Sequence, residues 1–242
     1  MSRRRVVAVV AVAVALTVVL GVVVVPRTGW FGPRARFRAT TLPSCAEILT
    51  APRVEDAVRT AFAATWAERR FLYAPGPAGL CLVTALPKAV LAEDFPADGT
   101  PWSRNLGVSF LVTNEDWNSG NRPWYRRGGV REAKDRYREK VGDTCGDGKG
   151  EDLTAEEDLG DEASGCWTSS FDKPSRQLLF RISNLIVDLH YEGMNFERGG
   201  EDPSASREDL ADNARCIAEA IAEFFDAPVH HPHHCGQPAL NA

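Results

Sequence analysis

Twenty consecutive residues, 6–25, carry no charge; Arg3, Arg4 and Arg5 precede them, and Pro26 and Arg27 follow. A helix of that length, rising 1.5 Å per residue, is about 30 Å long, the thickness of a bilayer's hydrocarbon core. Only Thr17 and Gly21 interrupt its apolar surface, so it lacks the polar stripe of a soluble surface helix. The run predicts a single transmembrane anchor and organises the rest of the chain around it. It leaves a short tail at 1–5, a juxtamembrane linker at 26–41, a domain at 42–228 and a His/Cys tail at 229–242. A cleaved secretory signal has a shorter apolar core, about 7–15 residues, and a small-residue cleavage site. Pro26 to Pro33 offers no such site, and Leu42-Pro43-Ser44-Cys45 lies too far from the apolar run to act as a lipobox.

Orientation follows from charge and cysteine. Three arginines abut the anchor on its N-terminal side and only Arg27 does so on the other, with Arg34, Arg36 and Arg38 further off. The positive-inside rule then puts the N-terminus in the cytoplasm and the domain outside the cell membrane. The anchor has no cysteine and the remainder has six: Cys45, Cys81, Cys145, Cys166, Cys216 and Cys235. An even number without a C-x-x-C pair fits disulfides in an oxidising compartment better than a zinc site. Beyond residue 27 the chain has 24 basic against 33 acidic side chains, which argues against nucleic acid and against broad adhesion to anionic lipid. Membrane contact is therefore expected through the anchor alone. The roughly 200 residues from Thr40 onward are enough for one domain with a core.

The pattern of that domain is mixed. Ser44 and Glu47 form an S-x-x-E capping box, and Val54, Val58, Ala61, Phe62 and Thr65 make one apolar helix face through Trp66. Residues 80–86 and 106–113 read as strands, the second with Leu106, Val108, Phe110 and Val112 alternating inward. A polar loop bearing Trp117, Trp124 and Tyr125 leads to a charged helix over 130–141. Residues 176–182 and 185–191 flank Ser183-Asn184 as a two-residue hairpin, with Asp188, His190 and Glu192 on the face opposite Leu185, Val187, Leu189 and Tyr191. Ser206 caps a closing helix whose Leu210, Ala214, Ile217, Ile221 and Phe224 repeat at helical spacing. The order is that of an α+β fold, an antiparallel sheet with helices packed on one face.

Gly160-Asp161-Glu162-Ala163, then Arg181 and Asn184 in the hairpin turn, then the closing helix, form an order that resembles two related groups. They are the small exported actinobacterial domains of the DUF3558 group and the extracellular sensor domain of PknH-type receptor kinases. Ser183 stands where those domains carry glycine. The resemblance implies an exported domain that senses a ligand or partner, and a bridge between the N-terminal helix and an early strand, for which Cys45 and Cys81 are suitably placed. Six cysteines allow fifteen connectivities and sequence alone does not choose among them. The simplest set is three local loops: Cys45–Cys81, Cys145–Cys166 and Cys216–Cys235.

Three clusters bear on chemistry. His230, His231, His233 and His234, with Cys235, are donors for a divalent transition metal such as Zn²⁺, Ni²⁺ or Cu²⁺. No second sphere is evident around them, and a disulfide at Cys235 removes its thiolate, so no cofactor is expected unless these histidines bind such an ion. Asp143 to Glu162 holds nine carboxylates against one lysine, but Cys145 takes the place of an oxygen ligand of a calcium-binding EF-hand and Thr154 that of its bidentate glutamate. A solvated acidic loop is the simpler expectation. Asp188, His190 and Glu192 share one face of a strand, a spacing suited to acid–base work, yet no nucleophile is identifiable beside them. No G-x-S-x-G, H-E-x-x-H or phosphate-binding glycine loop occurs. The expectation is thus a membrane-anchored binding or sensing domain for an unidentified small ligand or envelope protein, preferred over an enzyme without excluding one. A metal-dependent or hydrolytic envelope enzyme and a structural envelope scaffold are the alternatives.

Overall fold

The computed structural model describes residues 35–62, 67–74, 78–87, 101–113, 129–146, 148–170, 173–195 and 206–227. The expected anchor, the histidine tail, Trp66 and the aromatic loop with Trp117, Trp124 and Tyr125 lie outside these residues. Helices α1 (Cys45–Leu49) and α2 (Pro52–Ala61) come first, followed by strands β1 (Ala67–Ala74), β2 (Ala78–Pro87) and β3 (Pro101–Val112). Helix α3 (Gly129–Cys145), strands β4 (Glu151–Ala155), β5 (Glu162–Ser170), β6 (Lys173–Ile182) and β7 (Leu185–Asn195), and helix α4 (Arg207–Phe224) complete the order. The strands form one seven-stranded sheet, β1-β2-β3-β7-β6-β5-β4, with every neighbouring pair antiparallel. The α+β class read from the sequence is the observed one.

Both predicted helix starts are built as expected. Ser44 accepts from the Glu47 amide while the Glu47 carboxylate accepts from the Ser44 amide, closing the capping box of α1. Ser206 accepts from the Asp209 amide at the head of α4. The inward side chains of β3, β6 and β7 meet α1, α2 and α4 in one core holding Ile48, Val54, Val58, Val108, Phe110, Phe180, Val187, Leu189, Ile217 and Ile221. Tyr191 closes one end of it, donating its hydroxyl to the Ala61 carbonyl at 2.7 Å.

The expectation that the helices pack on one face is corrected. Helix α3 lies on the other face, over β5, β6 and β7, where Ala133 and Tyr137 cover Leu179 and Ile186. The physical cause is parity. Leu179 and Ile186 are out of phase with the main inward set and still apolar, so the second face needs cover of its own. A disulfide from Cys145, the last residue of α3, to Cys166 on β5 fastens it there. A second disulfide, Cys45–Cys81, joins α1 to β2. Cys216 is disulfide-bonded as well, to a partner outside the described residues.

The turn between β6 and β7 gathers the chain's distant parts. Ser183 has a left-handed φ of 55°. Asn184 is fully buried; its side-chain oxygen accepts from the Arg36 and Phe37 amides, and its Nδ2 donates to the Phe37 and Thr113 carbonyls. Phe37 then packs edge-on against Phe225, with 5.5 Å between ring centres.

Candidate functional site

Cross-strand register builds the face on which α3 sits. One row runs Leu82, Gly107, His190, Gln177 across β2, β3, β7 and β6. The next row in one direction holds Asn105 and Glu192, and the next in the other holds Ser109 and Asp188. The described helices leave the part around Leu82 open: its side chain is 37% exposed, one of two exposed large hydrophobic residues among the described ones. Gly107 has no side chain to fill the space beside it. A Cβ there would touch Leu82 Cδ2 at 3.4 Å and His190 Cβ at 3.9 Å, so the Leu82 and His190 side chains close in over the glycine.

A chain of polar contacts borders this row. Lys140 of α3 pairs with Asp188 at 2.7 Å, and Asp188 accepts from the Gln177 amide nitrogen. Because a carboxylate can only accept, that contact orients the Gln177 amide and turns its oxygen to His190 Nδ1, 3.0 Å away. The His190 ring therefore carries its proton on Nδ1 and presents a lone pair at Nε2 when neutral. That Nε2 faces Glu192 Oε2 at 3.4 Å, and Glu192 Oε1 accepts from Asn105 Nδ2 at 2.9 Å. The His190 and Glu192 side chains are 34% and 20% exposed, open enough for a ligand and ordered from behind. The trio Asp188, His190 and Glu192 thus shares a face as the alternation predicts. It is not simply solvated, since α3 and β6 supply partners from distant segments. No described hydroxyl or thiol bonds to the imidazole ring.

The acidic stretch differs from the expected solvated loop. Five of its nine carboxylates pair with cations from elsewhere in the chain, and part of it forms edge strand β4, whose residues are all exposed. Glu151 and Asp152 pair with Arg207 of α4, at 2.7 and 3.3 Å. Glu156 bridges Arg176 of β6 and Arg215 of α4, and Arg215 also reaches Glu219 at 2.6 Å. Glu162 pairs with Lys134 at 3.0 Å. Part of the charge that sequence alone assigns to solvent or to a cation is thus paired within the fold. Among the described residues no three His, Cys, Asp or Glu side chains converge to hold a metal ion.

The residues that carry the family resemblance are structural here. Asp161 accepts from the Ser183 amide at 2.7 Å and from Arg181 Nη1 at 3.0 Å, locking one turn to the other. Gly160 sits at φ 66°, and a Cβ there would stand 2.6 Å from the Arg181 carbonyl oxygen. Sequence reasoning missed buried Arg104, whose guanidinium bonds the Met194 carbonyl, the Asn195 side chain and Asp209. Its signal was Gly193, directly opposite on β7, where a Cβ would lie 2.5 Å from Arg104 Cδ. No protein-family model, curated protein or solved structure matches this chain.

Proposed function

We propose that this chain is a membrane-tethered extracytoplasmic binding or sensing domain whose ligand face is the open part of the sheet around Gly107 and His190. The observation that carries the reading is this row of side chains. Apolar Leu82, a bare glycine backbone and an oriented His190–Glu192 pair stand together on a rigid sheet, combining apolar contact with a few fixed polar groups as binding sites do. The two disulfides support an oxidising compartment, and the uncharged run at 6–25 supports the tether. Among the described residues no helix is long and apolar enough to cross a membrane, so the tether rests on that run alone.

Thermal-shift screening of the full chain against panels of short peptides, glycan fragments and lipid headgroups tests the binding face. At least one compound should raise the melting temperature of the parent and fail to raise that of Gly107→Trp. An added Cβ at Gly107 meets only the Leu82 and His190 side chains within 4 Å, so this variant covers the row without a backbone clash at its Cβ. Stabilisation that Gly107→Trp and His190→Gln leave untouched, or no stabilisation from any panel, overturns the reading. A reporter that works only outside the cytoplasm, fused after Ala242, should be active; activity of a cytoplasm-only reporter refutes the topology.

A further inference from the structure

We propose that the C-terminal tail, residues 228–242, docks on the outward ridge of α4 and is stapled there by a Cys216–Cys235 disulfide. The ridge is on the opposite side of the sheet from the ligand face, so the assignment stands independently of that reading. Three observations lead to it.

The first is a buried ridge that faces away from the core. A helix turns about 100° per residue. The stripe Leu210, Ala214, Ile217 and Ile221 sets α4 on the sheet, so Asp212, Cys216, Glu219 and Glu223 fall on the far side. Strands β6 and β7 lie under the stripe. Helix α2 takes one flank, where Arg53 meets Glu223, and the turn after β4 takes the other, where Glu156 meets Arg215. The ridge between these flanks is open at Asp212 and closed from Cys216 onward: Cys216 is 7% exposed and Glu219 3%. Its cover therefore lies over the C-terminal half of the helix alone.

The second is the way the chain leaves α4. Asp226 has a left-handed φ of 49°, and the Ala227 amide donates to the Ala222 carbonyl at 2.9 Å. This is a Schellman turn, which caps the helix and swings the chain off its axis. Ala227 is itself buried and Pro228 follows, so the tail sets out against the fold.

The third is the cysteine count and the length of chain. Cys45–Cys81 and Cys145–Cys166 use four of the six cysteines; Cys216 is disulfide-bonded, and Cys235 is the one left for it. At 1.5 Å per residue Cys216 lies about 12 Å back along the axis from Phe224, while residues 228–234 reach about 23 Å when extended. That is enough to return to Cys216 with little slack. A tail fixed at both Ala227 and Cys216 then carries His230, His231, His233 and His234 over the closed half of the ridge.

The test uses the full chain in detergent. Diethyl pyrocarbonate, which acylates exposed imidazoles, should modify the four tail histidines several-fold more slowly than in a synthetic peptide of residues 226–242 with its cysteine alkylated, as followed by mass spectrometry. Cys216→Ser combined with Cys235→Ser should raise the rate to that of the peptide, with circular dichroism confirming that the variant folds. Parent rates equal to the peptide's overturn the docking even if that variant does not fold. Slow modification that survives loss of both cysteines overturns the staple. A disulfide-linked dimer on a non-reducing gel would seat a second copy's tail on the ridge and overturn the intramolecular assignment.

Discussion

Truncating Asn184 to alanine should be among the most damaging single changes outside the apolar core. The amide makes four hydrogen bonds of 2.8–2.9 Å, two accepted from the Arg36 and Phe37 amides and two donated to the Phe37 and Thr113 carbonyls. On the Arg36–Phe37 side the segment can lift toward water, so each bond there costs only its net worth, about 0.5–1.5 kcal/mol. The Thr113 carbonyl stays buried and loses a donor, which costs about 1–3 kcal/mol. Because the bonds share one side chain they do not add fully, and a total of about 2–4 kcal/mol is expected. Urea unfolding of the full chain in detergent should show a lower midpoint at an unchanged slope. Hydrogen exchange at Arg36 and Phe37 should accelerate beyond the change in global stability. Asn184→Asp should be worse than alanine at neutral pH, because it turns a carboxylate oxygen on the Phe37 and Thr113 carbonyls. A loss below about 0.5 kcal/mol, or unchanged protection of both amides, would refute the account of this turn as the clasp between the incoming segment and the sheet.

The neighbouring residue gives the opposite sign: Ser183→Gly relieves a left-handed serine but adds freedom to the unfolded chain, for a net gain of about 0.5 kcal/mol in denaturant melts. Non-reducing peptide mapping should find Cys216 joined to Cys235, and a Cys235 thiol that reacts with alkylating reagent in the unreduced protein would contradict it. Cys145→Ser with Cys166→Ser should cost about 2–4 kcal/mol, read as a lower urea midpoint, since it opens a bridge across 21 residues and frees the end of α3. Burial pushes the Tyr191 and Tyr137 phenols above their ordinary value. Both are favoured neutral in the fold, so their contribution to stability is whole below about pH 10 and is lost as pH rises from there toward the folded-state values. Ultraviolet titration should show these two phenols ionising together with unfolding; ionisation at ordinary pH in a chain that is still folded would contradict their burial.

Periodicity sufficed where one segment carries its whole signal. The helical spacing from Leu210 to Phe224 and the alternation from Val187 to Glu192 each state which side must be buried, whatever packs there. The capping residues Ser44 and Ser206 are equally local. Strands β4 and β5 escaped because their residues are polar, small or charged; pairing with β6, and arginines from β6 and α4, make them strands. The second face of the sheet escaped for a related reason, since Leu179 and Ile186 look like accidental apolar residues until α3 and the Cys145–Cys166 bridge cover them. At the candidate site, alternation alone put Asp188, His190 and Glu192 on one face. What they do depends on Lys140, Gln177 and Asn105, which come from a helix and two other strands. Their spacing in sequence carries no trace of the contact, because it is the register of the sheet, a property of the whole fold, that brings them to the histidine.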